Sequence, residues 1–277
     1  MPYSYKEIAE ILKKSGIDDH DFEAREILML ACGVSHAAVM ADPCRVYDSP
    51  RLDELVKKRA GRYPIQYMRG EVGFHRGSFK VTEDTLIPRE DTELLVETAL
   101  RFAERGYKYL DLCTGSGCVA ISVLMSSKGT SALATDISDK AIAVAAENAR
   151  YNSVSDRVTF MTADVFEPSR VAEFAPFDMI ISNPPYIPSS VVDGLEPELR
   201  VEPRIALDGG EDGLDFYRFI VKKYKRYLSD GGRFAFEIGY DQGKAIERIA
   251  EENGYDCEIY KDYGENDRVA LLTPKAL

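Results

Sequence analysis

The sequence predicts an α/β fold: a doubly wound, mostly parallel sheet preceded by a small helical domain. Three observations carry this reading. After Gly106, short apolar strand patterns alternate with helical ones, which is the pattern of a parallel sheet with helices on its faces. A glycine turn, Cys113-Thr114-Gly115-Ser116-Gly117, joins the first of those strands to a helix. Residues 1–71, by contrast, repeat apolar side chains at helical spacing and show little strand pattern.

Within 1–71, Ile8, Ile11 and Leu12 share one helical face, Ile27, Leu28 and Leu30 the next, and Leu52, Leu55 and Val56 a third before Gly61. From Val72 to Val81 the pattern turns aromatic and β-branched around Arg76-Gly77, which predicts a hairpin bridging the two parts over residues 72–84. The remainder, 85–277, is the third region. A helix is expected from about Thr92 to Gly106, then a strand at 109–112, a helix at 118–125 and a strand at 132–136. Ser138 caps a helix to about Asn152. Strands follow at 158–161 and 179–182, a helix at about 214–228 and a strand at 233–238. Another helix begins near Gln242, and strands at 256–260 and 269–272 close the set. No helix separates the last two, so one is expected to be an antiparallel edge. Residues 187–213 lack periodicity and are rich in Pro, Gly and acidic residues, a composition of lids and binding loops.

Composition narrows the function. The 277 residues carry a formal charge of −12, from 35 basic and 47 acidic side chains. A chain this acidic repels a phosphate backbone, so duplex nucleic acid is not an expected partner, whereas a basic protein is allowed. The five cysteines (Cys32, Cys44, Cys113, Cys118, Cys257) are scattered and read as reduced apolar residues. The histidines His20, His36 and His75 are widely separated, and no metal site is expected. There is no apolar signal core and no apolar run of membrane-spanning length, so a cytoplasmic protein without a membrane partner is expected.

The turn after the first strand is a nucleoside site in outline. Its glycines let backbone approach a ligand, and the helix behind it offers unpaired N–H groups. Asp136, about 20 residues on at the end of the second strand, suits a ribose diol. The same features fit a dinucleotide fingerprint, Gly115-x-Gly117-x-x-Ala120, so they indicate a nucleoside cofactor more firmly than which one. Asp164, after the third strand, is placed to accept from an adenine amino group, although a solvated strand-end aspartate explains it equally well.

The fourth strand decides between cofactors. It ends in Asn183-Pro184-Pro185-Tyr186, where two prolines stop the ladder and hold Asn183 extended. No hydride-handling residue accompanies it, which disfavours a dehydrogenase. A planar amide or aromatic amine attacks an alkyl sulfonium poorly because its lone pair is delocalised. The Asn183 side-chain carbonyl and the Pro184 backbone carbonyl can accept from both of its N–H groups, and Tyr186 can stack on its plane. Catalysis of this kind is positioning, with no general base and no metal required before transfer.

With those residues in hand, the sequence resembles the class I S-adenosylmethionine-dependent methyltransferases. More narrowly it resembles the HemK/PrmC family, the protein-(glutamine-N5) methyltransferases of peptide chain release factors. The likeness rests on Arg62-Tyr63-Pro64-Ile65-Gln66-Tyr67, Leu86-Ile87-Pro88-Arg89-Glu90-Asp91-Thr92-Glu93, the glycine turn and Asn183-Pro184-Pro185-Tyr186. It extends through 206–214, Glu237-Ile238-Gly239 and Asn266-Asp267-Arg268-Val269. The resemblance implies a Rossmann-like seven-stranded sheet, a helical N-terminal substrate-recognition domain and S-adenosyl-L-methionine as cofactor. It implies that Cys113, Thr114, Gly115, Ser116 and Gly117 line the methionine part, that Asp136 binds the ribose and that Asp164 and Val165 flank the adenine. Arg89 and Asn183 join that cofactor set. Asn183, Pro184, Pro185 and Tyr186 would hold the glutamine of a Gly-Gly-Gln loop in a release factor. The chain departs from the family at Cys113 and Cys118, where Gly and Ala are common, at Val165, which is often aromatic, and at Glu90-Asp91-Thr92-Glu93, where Pro-Glu-Thr-Glu is usual.

Other readings share the motif. A ribosomal-protein glutamine methyltransferase carries the same tetrapeptide, and an adenine-N6 nucleic-acid methyltransferase faces the same planar amine. Charge and the lack of a basic target-recognition region weigh against the latter. A regulatory module that binds a nucleoside without turnover leaves Asn183 and Tyr186 unexplained.

Overall fold

The computed structural model describes residues 1–104 and 106–275, and the chain divides into two units. The first holds Met1–Gly70 with Glu196–Val201; the second holds Glu71–Leu195 and the chain from Glu202 onward. The piece 196–201, which lies within the region 85–277 of the sequence reading, thus groups with the helical unit.

In the first unit β1 (Tyr3–Ser4) pairs antiparallel with β2 (Val46–Tyr47). Helix α1 (Tyr5–Lys14) starts at a capping box, in which the Ser4 side chain accepts from Glu7 N and Glu7 accepts from Ser4 N at 2.7 Å. Helices α2 (His20–Cys32), α3 (His36–Ala41), α4 (Pro50–Ala60) and α5 (Ile65–Arg69) follow. Ile8, Leu12, Ile27, Leu28, Leu52 and Val56 are buried against one another, as their spacing predicts. Arg59 on α4 is buried with them. It forks onto Glu23 and reaches Glu198 at 2.9 Å, and Arg62 Nε pairs with Glu198 at 2.6 Å. The guanidinium stays charged, so removing either carboxylate would leave a buried charge short of a partner, which is costly.

The second unit opens with the hairpin β3 (Glu71–Phe74) and β4 (Gly77–Lys80). A 3-10 turn at Glu90–Thr92 leads into α6 (Glu93–Leu100), which stops short of the expected Gly106 because the next backbone bonds tighten to three-residue turns, Phe102 N to Ala99 O and Ala103 N to Leu100 O. Then come β5 (Lys108–Leu112), α7 (Cys118–Ser126), β6 (Ser131–Asp136), α8 (Asp139–Tyr151), β7 (Val158–Thr162) and β8 (Phe177–Ser182). After them lie α9 (Ser189–Val192), α10 (Asp215–Tyr224), β9 (Leu228–Glu237), α11 (Gly243–Glu252), β10 (Tyr255–Lys261) and β11 (Asp267–Pro274).

The sheet has seven strands in the order β10-β11-β9-β8-β5-β6-β7, with β7 through β9 parallel. The reversed strand is β11, which lies inside the sheet between β10 and β9, while β10 forms the edge. The antiparallel strand therefore sits one place further in than an edge. Its Val269, Ala270, Leu271 and Leu272 are all buried, so both faces reward an interior place. From β5 the chain winds one way to β6 and β7 and the other way to β8 and β9. The crevice at that reversal is where a doubly wound sheet binds ligands.

Candidate active site

Register brings the two ends of the site together. Leu112 pairs with Ser182 and Leu112 with Thr135, so Cys113, Asn183 and Asp136 emerge at one level from β5, β8 and β6. The Ser182 hydroxyl donates to Leu112 O at 2.6 Å and Thr114 N donates to Thr135 O at 3.0 Å, which ties the three strand ends.

Between β5 and α7 the backbone turns through left-handed conformations at Cys113 (φ 59°), Gly115 (φ 54°) and Gly117 (φ 79°). Gly117 is also held by space: a Cβ there would stand 2.9 Å from Ile121 Cδ1 and 3.1 Å from Ala145 Cβ, so α7 and α8 approach only because it has none. Asp136 organises the turn from the next strand. Its Oδ2 accepts from Gly115 N at 2.9 Å and its Oδ1 from Ser138 N at 3.0 Å. Burial pushes its carboxyl up, against the pull of those backbone donors. Behind the turn Asp111, fully buried, accepts from the Thr114 hydroxyl at 2.6 Å, and burial lifts it to about 7. Burial likewise drives the Cys113 thiol well above its usual range, which disfavours the nucleophilic thiolate.

After β8 the tetrapeptide is fixed from outside. Pro184 and Pro185 are buried and Asn183 and Tyr186 half-buried. Ile187 N donates to Leu207 O at 2.9 Å and Gly209 N to Ile187 O at 2.8 Å, so the 187–213 segment returns at 207–209 beside the tetrapeptide. That segment also contains α9 and a 3-10 turn at Arg204–Ala206. Gly213 has φ 75°, and a Cβ on it would come within 2.3 Å of Tyr186 O; only glycine lets this strap close.

These walls enclose a cavity of about 320 Å³, the size of a small-ligand site. Cys113, Thr114, Gly115, Ser116, Asp136, Asp164, Val165, Arg89, Asn183 and Pro185 line it. Three expected residues do not. Gly117 caps α7 behind the turn, Pro184 is buried, and Tyr186 points its hydroxyl at Glu237 Oε1, 3.3 Å away. Arg89 lines the wall while its guanidinium is paired with Glu202, whose other oxygen accepts from Ile87 N at 2.9 Å. Asp164 spends one oxygen on Phe166 N at 2.8 Å.

Sequence reasoning missed several lining residues. Phe166 is exposed on the cavity wall and packs on Phe216, centroids 5.1 Å apart. An aromatic ring is thus present beside Val165, shifted by one position, and the sequence signal for it was the Phe next door. Ile137, Thr92 and Ile205 also line the cavity. Ile137 and Ile205 are exposed apolar residues whose place no local pattern marks. Among the described residues no cluster of His, Cys, Asp or Glu has metal-binding geometry, and no helix is long and apolar enough to cross a membrane. All five cysteines are free.

Comparison with known proteins supplies the family. A model of the PrmC N-terminal domain matches residues 5–70, and one of the methyltransferase small domain matches residues 90–194. The release factor glutamine methyltransferase of Caulobacter vibrioides is 38% identical over 267 residues, which cover 94% of this chain and 91% of that relative. The chain belongs to the release factor glutamine methyltransferases. The family member from Moorella thermoacetica is equally similar, 38% identical over 94% of this chain and 93% of its own. Among solved structures, the catalytic domain of hMettl16 in complex with the MAT2A 3'UTR hairpin 1 superposes with a TM-score of 0.57 at 15% identity, over 72% of this chain and 75% of that one. That likeness concerns the fold. In this release factor glutamine methyltransferase a cysteine, Cys113, stands in the left-handed turn on the cavity wall.

Proposed function

We propose that this enzyme transfers the methyl group of S-adenosyl-L-methionine to the side-chain amide nitrogen, N5, of the glutamine in the Gly-Gly-Gln motif of peptide chain release factors. The observation that carries the reading is Asn183. It stands on the wall of the cavity at the end of β8, with its Nδ2 already directed at Thr92 Oγ1, 3.4 Å away. Its Oδ1 is thereby left for a substrate N–H.

The cofactor fits the residues present. A left-handed turn stripped of side chains at Gly115, a strand-end carboxylate at Asp136 and an apolar wall of Val165, Phe166 and Ile137 meet the needs of an amino-acid tail, a ribose and an adenine in turn. Cys113, Thr114, Gly115 and Ser116 would hold the tail, Asp136 the ribose hydroxyls, and Asp164, Val165 and Phe166 the base, with Arg89 at the rim. When bound, the cofactor supplies an electrophilic methyl sulfonium. The work of the protein is then orientation. Asn183 Oδ1 and the Pro184 carbonyl accept from the two amide protons of the glutamine. Both bonds favour the pyramidal nitrogen that exposes its lone pair. Tyr186 limits rotation of the amide plane, and the proton leaves after transfer without a base from the protein. Residues 1–71 are proposed to receive the release factor, and the cytoplasm, where release factors act, is the proposed location.

The test is an assay with methyl-labelled S-adenosylmethionine, offered purified release factor, ribosomal protein and DNA in parallel. Label on the Gly-Gly-Gln glutamine, placed by mass spectrometry, is the expected result. Label on ribosomal protein or DNA alone would overturn the proposal.

A further inference from the structure

The cavity wall is acidic with one exception. Glu83, Asp84, Asp111, Asp136 and Asp164 line it, and among the described residues Arg89 is the one cation in that lining. Asp84 is paired with Lys140 at 2.9 Å, which discounts one of the five acids. Such a wall attracts the sulfonium and the ammonium of S-adenosylmethionine and repels its carboxylate. The glycine turn has spent much of what it could offer that carboxylate. Thr114 N donates to Thr135 O at 3.0 Å, Gly115 N to Asp136 Oδ2 at 2.9 Å and Gly117 N to Thr114 O at 2.8 Å. Arg89 is different. Its Nη2 donates to Glu202 Oε1, and its side chain is still 36% exposed at the wall. A guanidinium has five N–H donors, so most of them are open to a ligand.

We infer that Arg89 is the counter-ion of the cofactor's amino-acid carboxylate, and that Glu202 is a positioning residue which keeps the guanidinium at the wall. The setting of Glu202 suits that task. Its side chain is 1% exposed and both of its oxygens are used, Oε1 by Arg89 and Oε2 by Ile87 N at 2.9 Å. The carboxylate is thus fixed to the main chain two residues before the arginine that it holds. A loose arginine would have to be ordered by the ligand itself, a loss of rotamer freedom that Glu202 takes in advance. Guanidinium and carboxylate also match in shape, two parallel N–H donors meeting two oxygens. The inference rests on the cofactor placement proposed above, and it is indifferent to which substrate accepts the methyl group.

The experiment measures, by calorimetry on the full-length enzyme, the affinity of wild type, Arg89→Gln, Glu202→Gln and the double variant Arg89→Gln/Glu202→Gln for three ligands. They are S-adenosylhomocysteine, its decarboxylated analogue, which keeps the ammonium, and 5′-methylthioadenosine, which lacks the whole tail. Arg89→Gln should bind S-adenosylhomocysteine about tenfold or more weakly, and the other two ligands no more than about twofold more weakly than wild type. Glu202→Gln, whose amide oxygen can still accept from Ile87 N, should lose about threefold or more on S-adenosylhomocysteine and spare the other two in the same way. The double variant should bind no more weakly than Arg89→Gln, because Glu202 acts through Arg89. Undiminished affinity for S-adenosylhomocysteine in either single variant, equal losses on all three ligands, or additive losses in the double variant each overturn the inference. A wild-type enzyme that binds none of the three overturns the cofactor placement and the inference with it. A wild-type enzyme that binds them as expected and methylates no release factor overturns the proposed substrate while leaving the inference standing.

Discussion

Gln242 donates from Nε2 to the backbone carbonyl of Tyr186 at 3.0 Å, gripping the tetrapeptide by its main chain from the start of α11. The same nitrogen reaches Gly213 O at 3.2 Å, and Gln242 Oε1 accepts from Gly239 N at 2.9 Å. One buried amide therefore joins the tetrapeptide, the end of its strap and the loop after β9. Gln242→Ala leaves these backbone groups without partners, each worth about 1–3 kcal/mol when buried. The expected result is a loss of about 2–4 kcal/mol in chemical denaturation, with kcat falling more than affinity for S-adenosylhomocysteine. Gln242→Glu should be no better, since a carboxylate cannot donate to two carbonyls. A stability equal to wild type in both variants would show that the grip is not needed.

Asn148 plays the matching part under the glycine turn. Its Oδ1 accepts from Lys80 N at 2.7 Å, and its Nδ2 donates to Lys80 O at 3.0 Å and Ser116 O at 2.8 Å. It completes the end of β4 as a strand partner would, and holds the turn where Asp136 does not reach. Asn148→Leu should destabilise the fold more than it weakens cofactor-product binding, whereas Asp136→Ala, which also frees Gly115 N and Ser138 N, should show the larger effect on binding. Calorimetry with S-adenosylhomocysteine separates them: about tenfold or more weaker binding in Asp136→Ala is expected if its oxygens serve the ribose, and unchanged affinity would remove Asp136 from that role.

Cys113 occupies a conformation that glycine takes without strain. A side chain at positive φ costs about 1–2 kcal/mol, and a β-branched one is disfavoured further. Cys113→Gly should therefore leave stability within about 1 kcal/mol of wild type, relief of strain being offset by the greater freedom of the unfolded chain. Cys113→Val should lose more than that. Equal melting of the two variants would show that the left-handed turn imposes no such preference.

What the sequence makes legible here is what short-range physics determines. Asn183 to Tyr186 and the turn at 113–117 each follow a strand and Asp136 ends one, and strand ends on parallel neighbours meet. Ser138 caps α8 as its residue type and position predict, accepting from Ala141 N at 3.2 Å. Gln242 and Glu237 are opaque by contrast: they reach the tetrapeptide from some 50 residues further on, through strand order and helix docking that no local period records. Glu237-Ile238-Gly239 stands out by resemblance, yet the bond that Glu237 accepts from the Tyr186 hydroxyl is non-local. The place of β11 inside the sheet is non-local for the same reason. So is the grouping of 196–201 with the helical unit, which depends on Arg59 and Arg62 gathering Glu198.

Asp111 gives the fold a pH dependence with a definite sign. Burial lifts its carboxyl from the ordinary aspartate value to about 7, while the Thr114 hydroxyl pulls the other way. A group whose folded pKa lies above its unfolded one binds its proton more tightly in the native state. Its contribution is full below about pH 4, the unfolded value, and is lost as pH rises through about 7. Wild type should accordingly lose stability relative to Asp111→Asn between those limits, since the amide keeps an acceptor for Thr114 and has nothing to ionise. Asp136, Glu202 and Glu237 are also raised by burial, but they are common to both proteins and cancel in the difference. Denaturant unfolding of the pair at intervals from pH 4 to 8 measures it. A difference that stays constant across the range, or grows in favour of wild type with rising pH, would mean that Asp111 is not the buried acid that titrates.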